Sequence, residues 1–316
     1  MNGQPSEANV QVKLEMFGIT DIGRKRNSNE DHFMVADLCR SIRVHHTSLA
    51  LDHRTQLFGG TQGQLLLVAD GMGGHEAGER ASQLALDGIV GHFLDHMAFR
   101  MLENPRDERS LEEELKAALS HCQNLIRQDA EAVPQRKGMG STLTMAYIIW
   151  PKLFLVHVGD SRCYLVRDGK IQQLTRDHTL AASLHPESSA ARDESLPDDD
   201  GPYANVLWNV LGGESDLQPD ASSIELKADD VLVLCTDGLT RYLSRKRIRE
   251  VVSAGEALNE VCTRLVAEAN ASGGADNITI VACRIRNAQT TEENVAELSV
   301  KAGNLEDTQD LLPANP

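Results

Sequence analysis

At 316 residues and 41% apolar content, the chain has material for one large buried core or two small ones. Its 47 acids against 31 bases leave a formal charge of −16, which argues against sequence-independent nucleic-acid binding, a property that rests on clustered Lys and Arg. The N-terminal MNGQPSEANVQVKLEM has no basic stretch followed by an apolar one, and no window approaches the ~18 apolar residues of a membrane span; the expectation is a cytoplasmic protein with no membrane or nucleic-acid partner.

Residues 1–13 carry little pattern and are expected to be flexible. Short β-like runs follow at Gly18 to Thr20 and His32 to Asp37. Residues 39–62 are polar and weakly patterned, which predicts a long hairpin loop or an insertion. After the strand-like run Leu65 to Ala69, Ala81, Leu84, Ala85, Ile89 and Phe93 share one helical face. A second stripe is formed by Leu111, Leu115, Ala118, Leu119, Cys122 and Ile126. Strand patterns then run Thr142 to Ile149, Leu153 to Val158 and Cys163 to Val166. The Gly159-Asp160-Ser161 turn is too short for a crossover helix, and Asp168-Gly169 is a type I′ hairpin signal. Residues 186–202, PESSAARDESLPDDDGP, predict a mobile acidic loop. Val231 to Cys235 and Ile278 to Ile285 read as strands. Between them lie a short helical run at Ile248 to Val252 and a longer stripe of Leu258, Val261, Cys262, Leu265 and Ala269. The tail, residues 287–316, is expected to be loosely ordered. The six cysteines form no CxxC pair and mostly sit in apolar runs, as reduced core thiols do.

Hairpin connections imply largely antiparallel sheets and exclude a doubly wound nucleotide fold; strands in hairpins with helices in clusters predict an α+β layered domain. Within it, four aspartates recur where an apolar strand meets Asp-Gly, Gly-Asp or Asp-Asn: Asp70 in LLLVADGMGG, Asp160 in LFLVHVGDSR, Asp237 in VLVLCTDGL and Asp276 in GGADNITIVA. Any one alone reads as an ordinary turn residue. Four together suggest strand ends sharing an edge, where unpaired carboxylates would repel one another unless a cation lies among them. Oxygen ligands without His or Cys suit Mg²⁺ or Mn²⁺ rather than Zn²⁺, and the Gly71 carbonyl is a further candidate ligand. In GRKRNSNEDHFMV, Arg26, Glu30 and Asp31 precede a strand; beside such a centre a guanidinium is a natural fork for a phosphoryl group.

Six segments in order carry a resemblance: GITDIGRKRNSNED, LLLVADGMGGHEAGERAS, GMGSTLTMAYI, LFLVHVGDSRCYLVRDGKIQQLTRDHTL, VLVLCTDGL and GGADNITIVACRI. Over roughly residues 14–286 the chain resembles the metal-dependent protein phosphatase family, type 2C, and in particular its bacterial members. The resemblance implies a four-layer α-β-β-α sandwich of two mainly antiparallel sheets flanked by helices, spanning 14–286 with a flap at about 179–213. It implies two Mn²⁺ or Mg²⁺ ions with a weaker third. Asp70 would bridge the pair, Asp237 and Asp276 complete the first ion, and the Gly71 carbonyl serve the second. Glu30 would act through water, Asp31 stand close behind, Asp160 hold the third ion, and Arg26 grip the substrate phosphate.

The function so implied is a serine/threonine phosphatase, a monomer acting on phosphoproteins made by a serine/threonine kinase through direct attack of a metal-bridging hydroxide. Alternatives are a catalytically quiet phosphoprotein-binding relative and a small-molecule phosphomonoesterase. Many eukaryotic relatives place a His directly after Asp-Gly; Met72 stands there, His75 reads equally well as a helix-start surface residue, and the general acid is left unassigned. The flap is also unusual in its acids at 193–200, which would favour basic phosphosites. Trp208 reads either as a dock for the flap or as a core aromatic.

Overall fold

The computed structural model describes residues 12–43, 56–97, 108–184 and 203–287. Strand β1 (Val12–Asp21) is followed by β2 (Asp31–Arg43), β3 (Gln56–Met72), helix α1 (His75–His92) and helix α2 (Glu108–Ala132). Next come β4 (Gly140–Ser141), β5 (Leu143–Ile149), β6 (Lys152–Val158), β7 (Arg162–Arg167), β8 (Lys170–Gln173) and the short α3 (Leu180–Leu184). The chain continues with β9 (Asp220–Glu225), β10 (Val231–Cys235), α4 (Asp237–Thr240), α5 (Arg245–Val252), α6 (Leu258–Ala271) and β11 (Ile278–Asn287).

The strands form two sheets, ordered β1-β11-β10-β7-β8 and β2-β3-β5-β6-β9, with every pairing antiparallel. Side-chain alternation dictates the layering. Along β3, Leu65, Leu67 and Ala69 pack with Ala81, Ile89, Leu119 and Ile126 of α1 and α2, while Leu66 and Val68 face the other way. That opposite face meets Leu232 and Leu234 of β10 and Val281, Cys283 and Ile285 of β11. The alternate residues of β10 and β11, Val233, Cys235, Ile280 and Ala282, lie against Ile248, Val261 and Leu265 of α5 and α6. Three apolar layers between four layers of backbone give the expected α-β-β-α sandwich. Five of the six cysteines, all but Cys39, are buried, and all six are free thiols.

Several sequence expectations change. Residues 39–62 are not simply a loop: β2 continues to Arg43 and β3 begins at Gln56, pairing Ser41 with Phe58 and Arg43 with Gln56. Register shifts on either side of Cys39 break the alternation that would have revealed these strands. Strand β9 has no strand signal in the sequence because DASSIE is a polar edge strand, paired among the described residues through β6 alone. The Gly159-Asp160-Ser161 turn does not close a hairpin but carries the chain from one sheet to the other, since β6 and β7 belong to different sheets. Asp168 (φ 50°) and Gly169 (φ 69°) do make the tight turn between β7 and β8, both in the left-handed region that a type I′ hairpin requires. The acidic loop at 186–202, the tail beyond 287 and residues 1–11 lie outside the described residues.

Candidate active site

Antiparallel pairing brings alternate strand ends to one edge. There β1 and β3 end, β2 begins directly opposite the end of β3 with Asp31 facing Asp70 in the ladder, β6 runs into Asp160, β10 into Asp237, and β11 begins just after Asp276. A cavity of about 210 Å³ opens at this edge, lined by Arg26, Glu30, Asp70, Gly71, Asp160 and Asp237 among others, with Asp276 beside them. Residues separated by more than two hundred positions thus share one pocket, and every acid singled out from the sequence lies in or beneath it.

Asp70 is anchored through its backbone: its N–H donates to Thr142 Oγ1 at 2.9 Å, and its carbonyl accepts from Thr142 N–H at 2.9 Å. The neighbouring Gly71 packs so closely on α1 that a Cβ there would lie 2.1 Å from the Gly78 carbonyl oxygen. Asp31 sits under the pocket, 4% exposed, where Thr236 and Thr279 hydroxyls donate to Oδ2 at 2.8 and 2.7 Å. Its Oδ1 is buried without a partner, as is Oδ1 of Asp237.

At the opening, Arg26 pairs with Asp276 at 2.8 Å and its side chain is 46% exposed. Arg26 is carried by the 22–30 loop, which Asn277 staples in place: its Nδ2 donates to the carbonyls of Ile22 and Ser28, and its Oδ1 accepts from Glu30 N–H. Opposite stands Arg241, a pocket residue the sequence reading did not single out. Its guanidinium bonds Asp237, reaches Asp276 at 3.3 Å, and donates to Asn205 Oδ1 on the flap at 3.1 Å. The signal was present: in DGLTR the arginine stands four residues after Asp237, on the turn of α4 that places i and i+4 side by side.

Electrostatically the cluster is short of positive charge. Burial, reinforced by Asp31, Asp237 and Asp160, raises the Asp70 carboxyl well above its ordinary range. Burial also pushes Asp31 up to about 7 against the pull of its two threonine hydroxyls, and Asp160 up to about 8 with help from Asp237. Among the described residues no three acids are gathered closely enough to enclose an ion as they stand.

Among the described residues no histidine lines the pocket, and Met72 does, 40% exposed. His75 is the first residue of α1. On the flap, Thr179 bridges to Leu207, and Trp208 stacks at 5.0 Å on His178, whose Nδ1 accepts from Gly159 N–H. Trp208 therefore docks the flap against the turn that carries Asp160.

Comparison with known proteins agrees with this architecture. The family model for protein phosphatase 2C matches residues 46–275. Protein phosphatase PhpP of Streptococcus pneumoniae is 30% identical over 276 residues, covering 84% of this chain and 96% of the relative. The serine/threonine protein phosphatase PstP of Mycobacterium tuberculosis is 35% identical over 218 residues, 69% of this chain and 40% of that longer protein. The crystal structure of the Mycobacterium tuberculosis phosphatase PstP/Ppp superposes with a TM-score of 0.66 at 31% identity, covering 86% of this chain and 99% of that one. The PstP catalytic domain in complex with two manganese ions matches at 0.66 and 30% identity, over 87% and 100% of the respective chains. The chain belongs to the protein phosphatase 2C family and is an enzyme of its bacterial type.

Proposed function

We propose that this protein hydrolyses phosphoserine and phosphothreonine in the protein products of a serine/threonine kinase, at a centre holding two Mn²⁺ or Mg²⁺ ions with a weaker third. The observation that carries the reading is the convergence of Glu30, Asp31, Asp70, Asp160, Asp237 and Asp276 at one strand edge, with buried carboxylate oxygens left unpartnered on Asp31 and Asp237. An all-oxygen set of this kind fits hard divalent cations. Asp70, the Gly71 carbonyl, Asp237 and Asp276 would hold the pair, Glu30 would act through water, Asp31 would stand behind, and Asp160 would serve the third. When bound, such ions supply the Lewis acidity that makes a strong nucleophile from water at neutral pH and offsets phosphoryl charge.

The chain's own residues do the rest. Arg26, half exposed on the loop that Asn277 braces and paired with Asp276, would offer its planar fork to two phosphoryl oxygens and orient the ester for in-line displacement. Gly73 (φ 119°) and Gly74 (φ 83°) line the pocket without adding side chains to it, which leaves room for a phosphorylated residue on a protein surface to enter. Met72 stands where an imidazole would, and the group that protonates the leaving alkoxide is left unassigned.

Phosphate release from a phosphothreonine peptide tests this. Turnover is expected with Mn²⁺, none with EDTA, and a fall of ~100-fold or more for Asp70→Asn, the scale lost when an electrostatic stabiliser is removed. Metal-loaded protein that hydrolyses sugar phosphates or nucleotides but no phosphopeptide would replace the reading with a small-molecule phosphomonoesterase.

A further inference from the structure

Arg241 makes three contacts that belong together. One guanidinium holds Asp237 and Asp276, carboxylates of the proposed cation centre, and the same group donates to Asn205 at 3.1 Å on the flap. Its Nε is buried without a partner, so the fork alone sets its position. Asp237, Asp276 and Asp160 all attract the Arg241 charge, and its side chain is only 28% exposed. A fixed positive charge here lowers the repulsion among bare carboxylates, and by the same Coulomb term opposes any metal ion that arrives.

We propose, resting on the cation-centre reading above, that Arg241 is an internal counter-cation of this carboxylate centre. A divalent ion competes with it for Asp237 and Asp276, and displacement of the guanidinium breaks the Asn205 contact and loosens the described part of the flap, residues 203–208. Metal occupancy and flap order are thereby linked through one side chain, and linkage makes the effect reciprocal: whatever holds Asn205 on Arg241 weakens metal binding. Asn205 and Leu207 both line the catalytic pocket, so the released segment is the one a protein substrate must pass.

The test is calorimetric titration of Mn²⁺ into the EDTA-stripped full chain, paired with hydrogen exchange at the flap amides of Val206 and Trp208, which donate to Tyr203 and His178 carbonyls. Arg241→Gln is expected to bind Mn²⁺ about tenfold more tightly than wild type, because a competing charge has been removed at contact range. In wild type, Mn²⁺ is expected to speed exchange at the two amides. Asn205→Ala, on an exposed position, is expected to exchange fast with or without Mn²⁺ and to bind the ion roughly threefold more tightly, the worth of one modest hydrogen bond. Equal or weaker Mn²⁺ binding by Arg241→Gln would overturn the proposal, since the guanidinium would then be orienting the ligands. Flap exchange indifferent to Mn²⁺ in wild type would also overturn it. If wild type bound no Mn²⁺ at all, the cation-centre reading would fall first and carry this one with it.

Discussion

A methyl group added to Gly71 would lie 2.1 Å from the Gly78 carbonyl oxygen, whereas one added to Gly78 would lie 2.0 Å from Glu30 Oε2 and 3.1 Å from the Gly71 carbonyl carbon. The first obstacle is backbone and cannot yield without parting β3 from α1; the second is chiefly the end of a side chain. Gly71→Ala is therefore expected to lose ~1–3 kcal/mol in urea unfolding, the usual cost of overpacking. Gly78→Ala regains about 1 kcal/mol of helix propensity and is expected to stay near wild-type stability. Because it displaces Glu30, its kcat should nevertheless fall about tenfold, within the range set by misplacing a group near the chemistry. Arg26 makes the opposite case, since a half-exposed side chain contributes little to the fold. Arg26→Ala should lower kcat/KM by roughly 10–100-fold with an unchanged melting temperature, and Arg26→Lys should recover only part of it, because an ammonium cannot form the bidentate fork.

The 22–30 loop has no regular secondary structure, yet it presents both Arg26 and Glu30. Its order comes from the other end of the chain. Asn277, 3% exposed, makes three bonds to it at 2.9 to 3.0 Å, and Arg24 N–H donates to Gly274 carbonyl at 2.7 Å. Asn277→Ala would strand buried backbone groups, each costing ~1–3 kcal/mol, so an overall loss of about 2–3 kcal/mol is expected in chemical denaturation, with activity falling further than stability. A variant as stable as wild type would show that water replaces the side chain. Below this loop the hydroxyls of Thr236 and Thr279, from the end of β10 and the start of β11, meet Asp31 from β2 and so tie the two sheets together at the catalytic edge.

Taken as one titrating body, the molecule has two opposing pH dependences. Asp31 and Asp160, at about 7 and about 8, lie above their ordinary value of 3.8, so the folded state binds more protons than the unfolded one. The stability they contribute is complete below that value and lost as pH rises through about 7 and 8. His157 runs the other way: burial, with His178 alongside, pushes it down from 6.5 to about 4, so its contribution is lost as pH falls across that interval. Above 6.5 the His157 contribution is largely complete, while Asp31 and Asp160 are still titrating. In EDTA the melting temperature is expected to rise as pH is lowered from 8 to 6.5, and added Mn²⁺ should stabilise most at pH 8, where the ionised carboxylates repel one another and fewer protons compete with the ion. Thermal unfolding at the two pH values checks both; a metal-free protein more stable at pH 8 would refute the carboxylate account.

Local chemistry was legible from residue order alone. Strand β10 spans Val231–Cys235 as its apolar run predicts, the helical stripes of α1, α2 and α6 face the core, and the four aspartates Asp70, Asp160, Asp237 and Asp276 stand at or next to strand ends. These signals, the last of them for the four aspartates singled out and not for Asp87 beside Gly88 in the middle of α1, survive without tertiary information because periodicity and turn chemistry act between neighbours. Other features needed the folded chain, because their partners are remote in sequence. Asp31 meets Thr279, Asn277 braces a loop near residue 25, and the turn at Asp160 passes between sheets rather than folding back. The placement of Arg241 combined both: its spacing from Asp237 is local, but its reach to Asp276 and Asn205 exists only once β11, α4 and the flap have come to the same edge. Convergence of like charges there opposes folding locally, and it is the three apolar layers behind them that hold them together.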